Sequence, residues 1–307
     1  MTTIQVKVPA TTANIGAGFD CLGAALTLHN EFRFTPTEAD APFFSLDVVG
    51  EAVEAKKLDA DPDNLLYVAF AYLYEKIGQP VPNIHIDIDL KVPLSRGLGS
   101  SATAIVGGIV GANILAGSPL SQDKVMQLAI ELEGHPDNVV PALLGGCQLS
   151  VNHQQSWVIC PWAWHEAVIP VVTIPDFELS TEESRLVLPQ QYARAQAIFN
   201  ASRLGLLPHG LAQNNAEYLK ASLDDQIHQP YRKNLIVGYD QVQMAAVEAG
   251  AFGMVISGAG PTLLALASPE NAENVAATMQ DTWSKFKVNA QAKVLAIAPE
   301  GTTVTTL

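Results

Sequence analysis

The chain has 307 residues, of which 48% are hydrophobic and 16% are charged, and its formal net charge is −14. This composition is typical of a globular protein with one large domain or two of ordinary size. Because a phosphate backbone is neutralised by clustered cations, 17 Lys and Arg against 31 Asp and Glu argue against nucleic acid as a partner.

The cysteines and the apolar segments indicate the compartment. Cys21, Cys147 and Cys160 form no CxxC pair, which argues against a zinc ribbon or a disulfide framework and fits a reducing environment. The opening MTTIQVKVPA has no pattern of a secretory signal. The most apolar window, residues 102–117, is shorter than the roughly 20 residues of a membrane span, so we interpret it as a buried helix. We expect a cytoplasmic protein without a membrane partner.

The first half of the chain alternates between strand and helix patterns. Strict apolar alternation in IHIDIDLKV, residues 84–92, predicts a strand, and residues 4–8, 28–37 and 43–50 read as further strands. Apolar residues at helical spacing predict a helix over 64–78.

The second half mixes the same two patterns. It predicts, in order, a helix at 120–134, a strand at 147–152, strands with turns over 157–175, mostly helix over 186–228, strands at 251–257 and 263–267, a helix near 270–286 and a strand at 292–299. Because no regular βαβ repeat occurs, we expect an α+β fold. The segment CPWAWHEAVIP suggests a soft boundary between residues 1–160 and 161–307.

PLSRGLGSSA, residues 93–102, lies between the strand at 84–92 and the small-residue helix. Open N–H groups at a helix start favour an anion, and Gly97 and Gly99 allow the backbone to approach phosphate oxygens. Ser100 and Ser101 add hydroxyls that suit a phosphate or hydrated Mg²⁺. The alternative is a tight turn that caps a core helix.

Two better-known phosphate motifs do not fit this stretch. A P-loop ends in Gly-Lys, a pair that this chain lacks. GLGSSA matches a loose GxGxxA dinucleotide fingerprint, but the helix after it leads into a second helix, GSPLSQDKV, and not into a strand that ends in an acid.

Two other loops carry small and polar residues. VPATTANIGAGFDCLG, residues 8–23, leaves a strand and offers Asn14 and Asp20, although both are also common turn formers. SGAGPT, residues 257–262, joins two apolar strands, and its glycines bring backbone N–H groups towards a ligand unless it is an ordinary hairpin turn.

ELEGHPDN, residues 131–138, places two carboxylates at a helix end and a polar turn after it. Glu131 and Glu133 lie about 200° apart on a helix, so only one of them can face a given site, as a hard ligand for Mg²⁺. A single histidine in a turn is more often structural, and no HExxH pattern supports zinc hydrolysis.

Taken together, VPATTANIGAGFDCLG, PLSRGLGSSAT, EGHPDN and ISGAGPTLLAL resemble the GHMP kinase superfamily and, within it, the homoserine kinase family. The resemblance covers residues 6 to about 297. It implies an N-terminal domain like domain 2 of ribosomal protein S5, a ferredoxin-like C-terminal domain and a site between them. The implied reaction is ATP-dependent phosphorylation of the side-chain hydroxyl of L-homoserine, in threonine biosynthesis.

The resemblance also implies roles for individual residues. Asn14, Asp20 and Arg185 are the expected catalytic residues, and substrate binding extends to His135, Asn138, Thr181, Arg232, Gly258 and Gly260. We expect Arg185 and Arg232 to bind the substrate carboxylate, and Asn14 and Asp20 to hold its hydroxyl and ammonium end. The expected ATP-binding residues are Pro93, Leu94, Ser95, Arg96, Gly97, Leu98, Gly99, Ser100, Ser101, Ala102 and Thr103. Arg96 is expected to point to solvent.

For Mg²⁺, the resemblance suggests Ser100 and a helix glutamate. Some members of the family carry an insertion before the histidine, which the compact ELEGHPDN lacks, so counting does not fix the glutamate. We prefer Glu133, two residues before His135, over Glu131. A homodimer is expected from the resemblance alone. The alternatives are another GHMP kinase, of the mevalonate or sugar type, and a non-catalytic nucleotide-binding regulator.

Overall fold

The computed structural model describes residues 2–38, 40–49, 61–154 and 156–307. Within these residues the strands are β1 (Ile4–Asn14), β2 (Gly18–Pro36), β3 (Phe44–Val49), β4 (Ile84–Asp89), β5 (Cys147–His153), β6 (Ser156–Trp162), β7 (Ile169–Pro175), β8 (Ala251–Ile256), β9 (Leu263–Ala267), β10 (Ala290–Val294) and β11 (Thr303–Thr306). The last residue of the strand predicted at 43–50 lies outside the described residues.

Helices connect these strands. They are α1 (Leu65–Lys76), α2 (Ser100–Leu115), α3 (Gln122–Glu133), α4 (Pro136–Leu144), α5 (Thr181–Leu186), α6 (Arg194–Gln213), α7 (Ala216–Ser222), α8 (Gln229–Arg232), α9 (Tyr239–Glu248) and α10 (Ala272–Lys285). Helix α4 was not predicted. Its start, HPDN, reads as a turn, and Pro141 lies inside it. The helix nevertheless forms because its apolar face packs on β1 and β2.

The first sheet has the strand order β11-β1-β2-β4-β3, and β5 pairs with β2 and β6. Only β3 and β4 are parallel among these pairs. The predicted boundary at residue 160 falls inside β6, which belongs to this sheet. The C-terminal strand β11 returns to pair with β1, so the chain crosses between the two halves twice.

The second sheet has the order β10-β7-β9-β8 and is antiparallel. In chain order, strands and packed helices follow as β7, α9, β8, β9, α10 and β10, which is the β-α-β-β-α-β arrangement of ferredoxin-like folds. The fold class predicted from the sequence is confirmed.

Local sequence explains the elements that surround the later site. In β4, Ile84, Ile86 and Ile88 are buried while the polar residues between them face outward, as strand alternation requires. Helix α2 is apolar on all sides because it lies in the core, and a Cβ at Gly107 would meet the Phe32 ring. Within the described residues, no helix is long and apolar enough to span a membrane.

The segment 8–23 differs from its prediction as a strand followed by a loop. Strand β1 continues to Asn14, and β2 begins at Gly18, so a tight hairpin replaces the loop. A bulge between Ala13 and Asn14 and positive φ angles of 72° at Asn14 and 57° at Asp20 turn the chain there. This geometry directs both polar residues towards the same cavity.

Candidate active site

A cavity of about 640 Å³ is lined by residues from both halves of the chain. Its walls come from the β1–β2 hairpin, the glycine-rich loop before α2, the α3–α4 junction, α5, and the loop between β8 and β9. One part of the wall is apolar, with Phe32, Leu66 and Leu90. Other lining residues are arginines and carboxylates. The three glycine-containing motifs thus meet at one site.

Helix α2 begins at this cavity without a side-chain cap. Its N-cap residue is Gly99, in the left-handed region at φ 68°, and the first helical bond runs from the N–H of Thr103 to the carbonyl of Gly99. The N–H groups of the first turn therefore have no acceptor within the helix. Because Gly99, Ser100 and Ser101 line the cavity, this helix start offers donors and a positive dipole end to an anion.

Gly97 and Gly99 are glycines for steric reasons as well. At Gly97, φ is 80°, and a Cβ would collide with the carbonyl oxygens of Ser257 and Gly260. At Gly99, a Cβ would collide with the Thr11 hydroxyl. The glycine-rich loop is therefore held between β1 and the loop of residues 257–262.

The prediction that Arg96 points to solvent is wrong. Its side chain is buried, and its guanidinium donates to the carbonyls of Leu94, Pro175 and Asp176 and pairs with Glu178. These bonds tie the loop to the end of β7. The loop accordingly brings no free arginine to a phosphate.

The other residues predicted to bind ATP divide into two groups. Leu94, Ser95, Gly97, Gly99, Ser100, Ser101 and Thr103 line the cavity. Pro93, Leu98 and Ala102 do not, and the side chains of Leu98 and Ala102 are fully buried in the core. For Ala102, only the N–H in the first turn of α2 is available to a ligand.

The two glutamates of α3 face different surroundings. Glu133 lines the cavity and accepts a hydrogen bond of 2.7 Å from the Ser101 hydroxyl. Glu131 is bonded to Tyr72 and Lys76, away from the cavity. The serine nearest to Glu133 is thus Ser101, whereas the sequence pointed to Ser100. Burial raises the pKa of Glu133, and the bond from Ser101 partly opposes this effect.

The α3–α4 junction holds a polar cluster. His135 Nδ1 lies 2.7 Å from Asp137 Oδ1, and the Thr11 hydroxyl donates to Asn138 Oδ1 at 2.7 Å. Burial lowers the pKa of His135, but the hydrogen bond and charge of Asp137 outweigh it, and the net shift is upward. Sequence reasoning missed Asp137 and Thr11. Asp137 stood inside the quoted HPDN motif, whereas no local signal marked Thr11.

Asp20 and Arg185 meet although 165 positions separate them. The guanidinium donates two bonds to the carboxylate, Nη1 to Oδ2 at 2.9 Å and Nη2 to Oδ1 at 2.8 Å. The hydrogen bond to Asp20 raises the pKa of Arg185. Thr181 opens α5 after the cap residue Ser180 and lines the same wall. This ion pair offers one negative and one positive group to a zwitterion.

Arg232 is buried, at 1% exposure, and still lines the cavity. Its Nε donates to the carbonyl of Ser184 and its Nη1 to the carbonyl of Gly258, both at 3.1 Å. Burial first, and then the charge of Arg185, lower its pKa to about 10. Two of the five guanidinium N–H groups are therefore bonded to main-chain carbonyls.

The loop of residues 257–262 acts mainly as a junction. The N–H of Gly258 donates to the Ala13 carbonyl, and that of Gly260 donates to the Ser257 carbonyl. The sequence suggested that these two amides face a ligand, but both have an acceptor within the protein. The Asn14 side chain donates to the Gly258 carbonyl and accepts from the Asp20 N–H. Asn14 thus connects the two halves at the cavity wall.

Comparison with known proteins gives consistent matches. The family model for the GHMP kinases N terminal domain matches residues 64–146, and the model for GHMP kinases C terminal matches residues 204–285. A homoserine kinase from Picosynechococcus sp. is 75% identical over 304 residues, which cover 99% of this chain and 100% of the relative. One from Synechococcus sp. is 57% identical over 302 residues, covering 98% and 97%.

Solved structures agree with these relatives. The crystal structure of homoserine kinase from Cytophaga hutchinsonii has a TM-score of 0.87 at 30% identity and covers 99% of this chain and 97% of its own. The L. major mevalonate kinase in complex with R-mevalonate has a TM-score of 0.71 at 15% identity, covering 96% of each chain, which shows a shared fold alone.

Proposed function

The chain belongs to the homoserine kinase family of the GHMP kinases, and from this premise we propose that it transfers the γ-phosphoryl group of ATP to the side-chain hydroxyl of L-homoserine. The product is O-phospho-L-homoserine, in threonine biosynthesis. One observation supports this reaction most strongly. A single cavity holds an uncapped helix start together with the Asp20–Arg185 pair, so an anion site and a zwitterion site lie side by side.

We assign the phosphates of ATP to the start of α2. The open N–H groups of Ser100, Ser101 and Ala102 and the dipole of a 16-residue helix oppose phosphate charge without a lysine. Because Arg96 is bonded to carbonyls, the main chain supplies most of this neutralisation. The apolar wall near Phe32, Leu66 and Leu90 suits the flat face of the base.

The residues at this helix start also fit Mg²⁺. Magnesium prefers one or two carboxylates together with phosphate oxygens and water, and Glu133 with the Ser100 and Ser101 hydroxyls is such a donor set. When bound, the ion would neutralise charge on the transferred phosphoryl group. Within the described residues, the cluster of Asp47, His85 and Asp87 also has metal-ligand spacing, but it does not line this cavity.

We assign the amino acid to the opposite end. Its carboxylate matches the guanidinium N–H groups of Arg185 and Arg232 that are not used in the bonds to Asp20, Ser184 and Gly258. Its ammonium matches Asp20, whose carboxylate faces the same space. Because Asp20 already accepts both bonds from Arg185, it is better suited to hold a cation than to remove a proton from the hydroxyl. Phosphoryl transfer depends mainly on position and charge, so the reaction needs no strong base here.

A coupled assay of ADP release tests the proposal. With ATP and Mg²⁺, we expect turnover with L-homoserine that exceeds turnover with L-serine, L-threonine, mevalonate and galactose by about 100-fold or more, as differential binding of matched polar groups allows. A preference for mevalonate or galactose would assign the protein to another branch of the superfamily. ATP binding without turnover of any acceptor would indicate a nucleotide-binding regulator.

Two further expectations stay predictions. Light scattering on the purified chain tests the homodimer, for which a mass near 65 kDa, about twice the 32.7 kDa chain, is expected. A cytoplasmic location is tested by fractionation of the source cells.

A further inference from the structure

Phe19 lies next to Asp20 in β2 and is half-buried beside the cavity. The centroid of its ring lies 5.0 Å from Cζ of Arg232 and 5.7 Å from Cζ of Arg185. Both distances are within the roughly 6 Å over which an aromatic face attracts a cation. One ring therefore contacts both arginines that we assign to the substrate carboxylate.

This shared contact matters because the two guanidiniums repel each other. The charge of Arg185 contributes to the lowered pKa of Arg232. Asp20 compensates Arg185 through a direct ion pair. Arg232 is bonded instead to the carbonyls of Ser184 and Gly258, and within the described part of the chain no carboxylate forms an ion pair with it. The charges of Asp20 and Asp137 act on both arginines, and the electron-rich face of Phe19 is a further negative surface that contacts both guanidiniums.

The other contact of the ring is a neutral histidine. His228 stacks on Phe19 with centroids 5.1 Å apart and an angle of 24°. Its Nε2 lies 2.9 Å from the Gly16 carbonyl, which requires a proton on that nitrogen, while Nδ1 has no hydrogen-bond partner. Burial lowers the pKa of His228, so the ring carries no third positive charge against the arginines.

The turn before α8 fixes His228 and Arg232 relative to Phe19. Asp225 accepts hydrogen bonds from the N–H groups of Ile227, His228 and Gln229. His228 is the N-cap residue of α8, Arg232 is its last residue, and the N–H of Arg232 donates to the His228 carbonyl at 3.0 Å. The Phe19 ring contacts both side chains, which hold it in a defined position beside the guanidinium of Arg232.

We propose that Phe19 is a positioning residue for substrate recognition, whose ring face holds the forks of Arg185 and Arg232 together for the homoserine carboxylate. The inference rests on the proposed function, because it concerns the affinity for that substrate. It assigns a role to the aromatic residue of the GFD segment, which the sequence reading left without one.

Kinetics of Phe19→Leu test this role, since leucine preserves apolar volume and removes the π face. We expect the KM for L-homoserine to rise about 10-fold, equivalent to about 1.4 kcal/mol, while kcat and the KM for ATP change less than about 2-fold. Phe252→Leu is the matched control, because Phe252 is also half-buried but packs against an apolar core cluster and, among the described residues, has no arginine over its ring. We expect its KM values to equal those of the unaltered chain.

A substrate without the carboxylate separates this role from a general effect on folding. For L-homoserinamide, whose amide carries no charge, we expect Phe19→Leu to leave kcat/KM unchanged within about 2-fold, since a neutral group gains little from aligned cations. The preference for homoserine over its amide thus falls about 10-fold. An equal loss with both substrates would overturn the proposal.

Fluorinated phenylalanines at position 19 provide a second test that keeps the shape of the ring, in case the leucine variant does not fold. Each added fluorine weakens the negative face, so the logarithm of the KM for homoserine should rise with fluorine number. A KM that is independent of fluorination contradicts the proposal. If the unaltered chain does not phosphorylate homoserine, the proposed function itself fails, an outcome distinct from any result with the variants.

Discussion

The two ends of the cavity solve the problem of anion binding in different ways. At the proposed phosphate end, the donors are main-chain N–H groups at the start of α2, and the arginine of that loop, Arg96, is bonded to carbonyls. At the proposed amino-acid end, the charges belong to side chains, Asp20, Arg185 and Arg232. Main-chain donors need no side-chain ordering, whereas each arginine must be held by partners of its own.

This difference predicts different sensitivities to substitution. The phosphate end depends on the absence of side chains at Gly97 and Gly99, so adding one methyl group at either position should greatly reduce activity. The amino-acid end depends on fork geometry, so an exchange that keeps the charge should still weaken substrate binding. The comparison is sharpened by variants with matched controls elsewhere in the chain.

Gly97→Ala should have the largest effect. The new Cβ would collide with the carbonyls of Ser257 and Gly260 at a φ of 80° and would displace the loop, so kcat/KM should fall about 1,000-fold, as loss of preorganised donors does. Gly117→Ala is the control, because Gly117 follows α2 with a φ of 84° and open space around its Cβ. It should lose only about 1 kcal/mol of stability. Equal activity of the two variants would contradict the claim that the phosphate end depends on a bare backbone at Gly97.

Glu133→Gln should have the second-largest effect on activity. Removal of the carboxylate from the cavity weakens the proposed Mg²⁺ site, and kcat should fall about 100-fold at fixed Mg²⁺. Glu131→Gln, two residues earlier and bonded to Tyr72 and Lys76, should retain full activity. Steady-state assays over a range of Mg²⁺ concentrations measure both. If Glu131→Gln loses more activity than Glu133→Gln, the assignment of Glu133 to Mg²⁺ is wrong.

Arg185→Lys tests fork geometry at the amino-acid end. Lysine keeps the charge but cannot make two parallel bonds, so the KM for homoserine should rise about 30-fold, or about 2 kcal/mol, with the KM for ATP unchanged. Arg194→Lys, at the exposed start of α6, serves as the control and should change neither constant. A comparable rise in the KM for ATP would show that the two ends are not independent.

The smallest expected effect concerns pH and His228. Because burial lowers the pKa of His228 in the folded chain, the unfolded chain binds the extra proton first as the pH falls below about 6.5. Stability is therefore lost below that pH, by up to about 1.4 kcal/mol per pH unit. Asp225 and Asp20 oppose the shift, and Arg232 reinforces it.

The measurement is denaturant unfolding between pH 7 and pH 5. His228→Gln cannot protonate, so its stability should fall less steeply with decreasing pH than that of the unaltered chain. Other groups titrate equally in both proteins, and the difference in slope isolates His228. Identical slopes would mean that His228 binds its proton equally in the folded and unfolded chains, and that its pKa is not lowered by folding.

The strand, loop and helix that form the proposed phosphate end were predictable from sequence because their signals are contiguous. The glycines, the serines and the following helix all lie within residues 93–115, and helix-start chemistry connects them. The error at Arg96 arose because its partners, Pro175 and Asp176, are about 80 residues away. A local sequence pattern does not show which side chains form hydrogen bonds with distant parts of the folded chain.

The residues of the proposed amino-acid end were harder to predict from the sequence. Asp20 and Arg185 are 165 positions apart, and Arg232 depends on Ser184 and Gly258. No periodicity or spacing pairs such residues, so only the family resemblance suggested them. The contacts of Phe19 and Asp225 had no local signal, because both act through packing and turn geometry that appear only in the folded chain.

The most direct test is a crystal structure with Mg²⁺, L-homoserine and a non-hydrolysable ATP analogue. Our account predicts β- and γ-phosphate oxygens about 2.7–3.1 Å from the amide nitrogens of residues 100–102, with the homoserine carboxylate at Arg185 and Arg232. A triphosphate held mainly by lysine or arginine side chains, or one bound away from the start of α2, would contradict it.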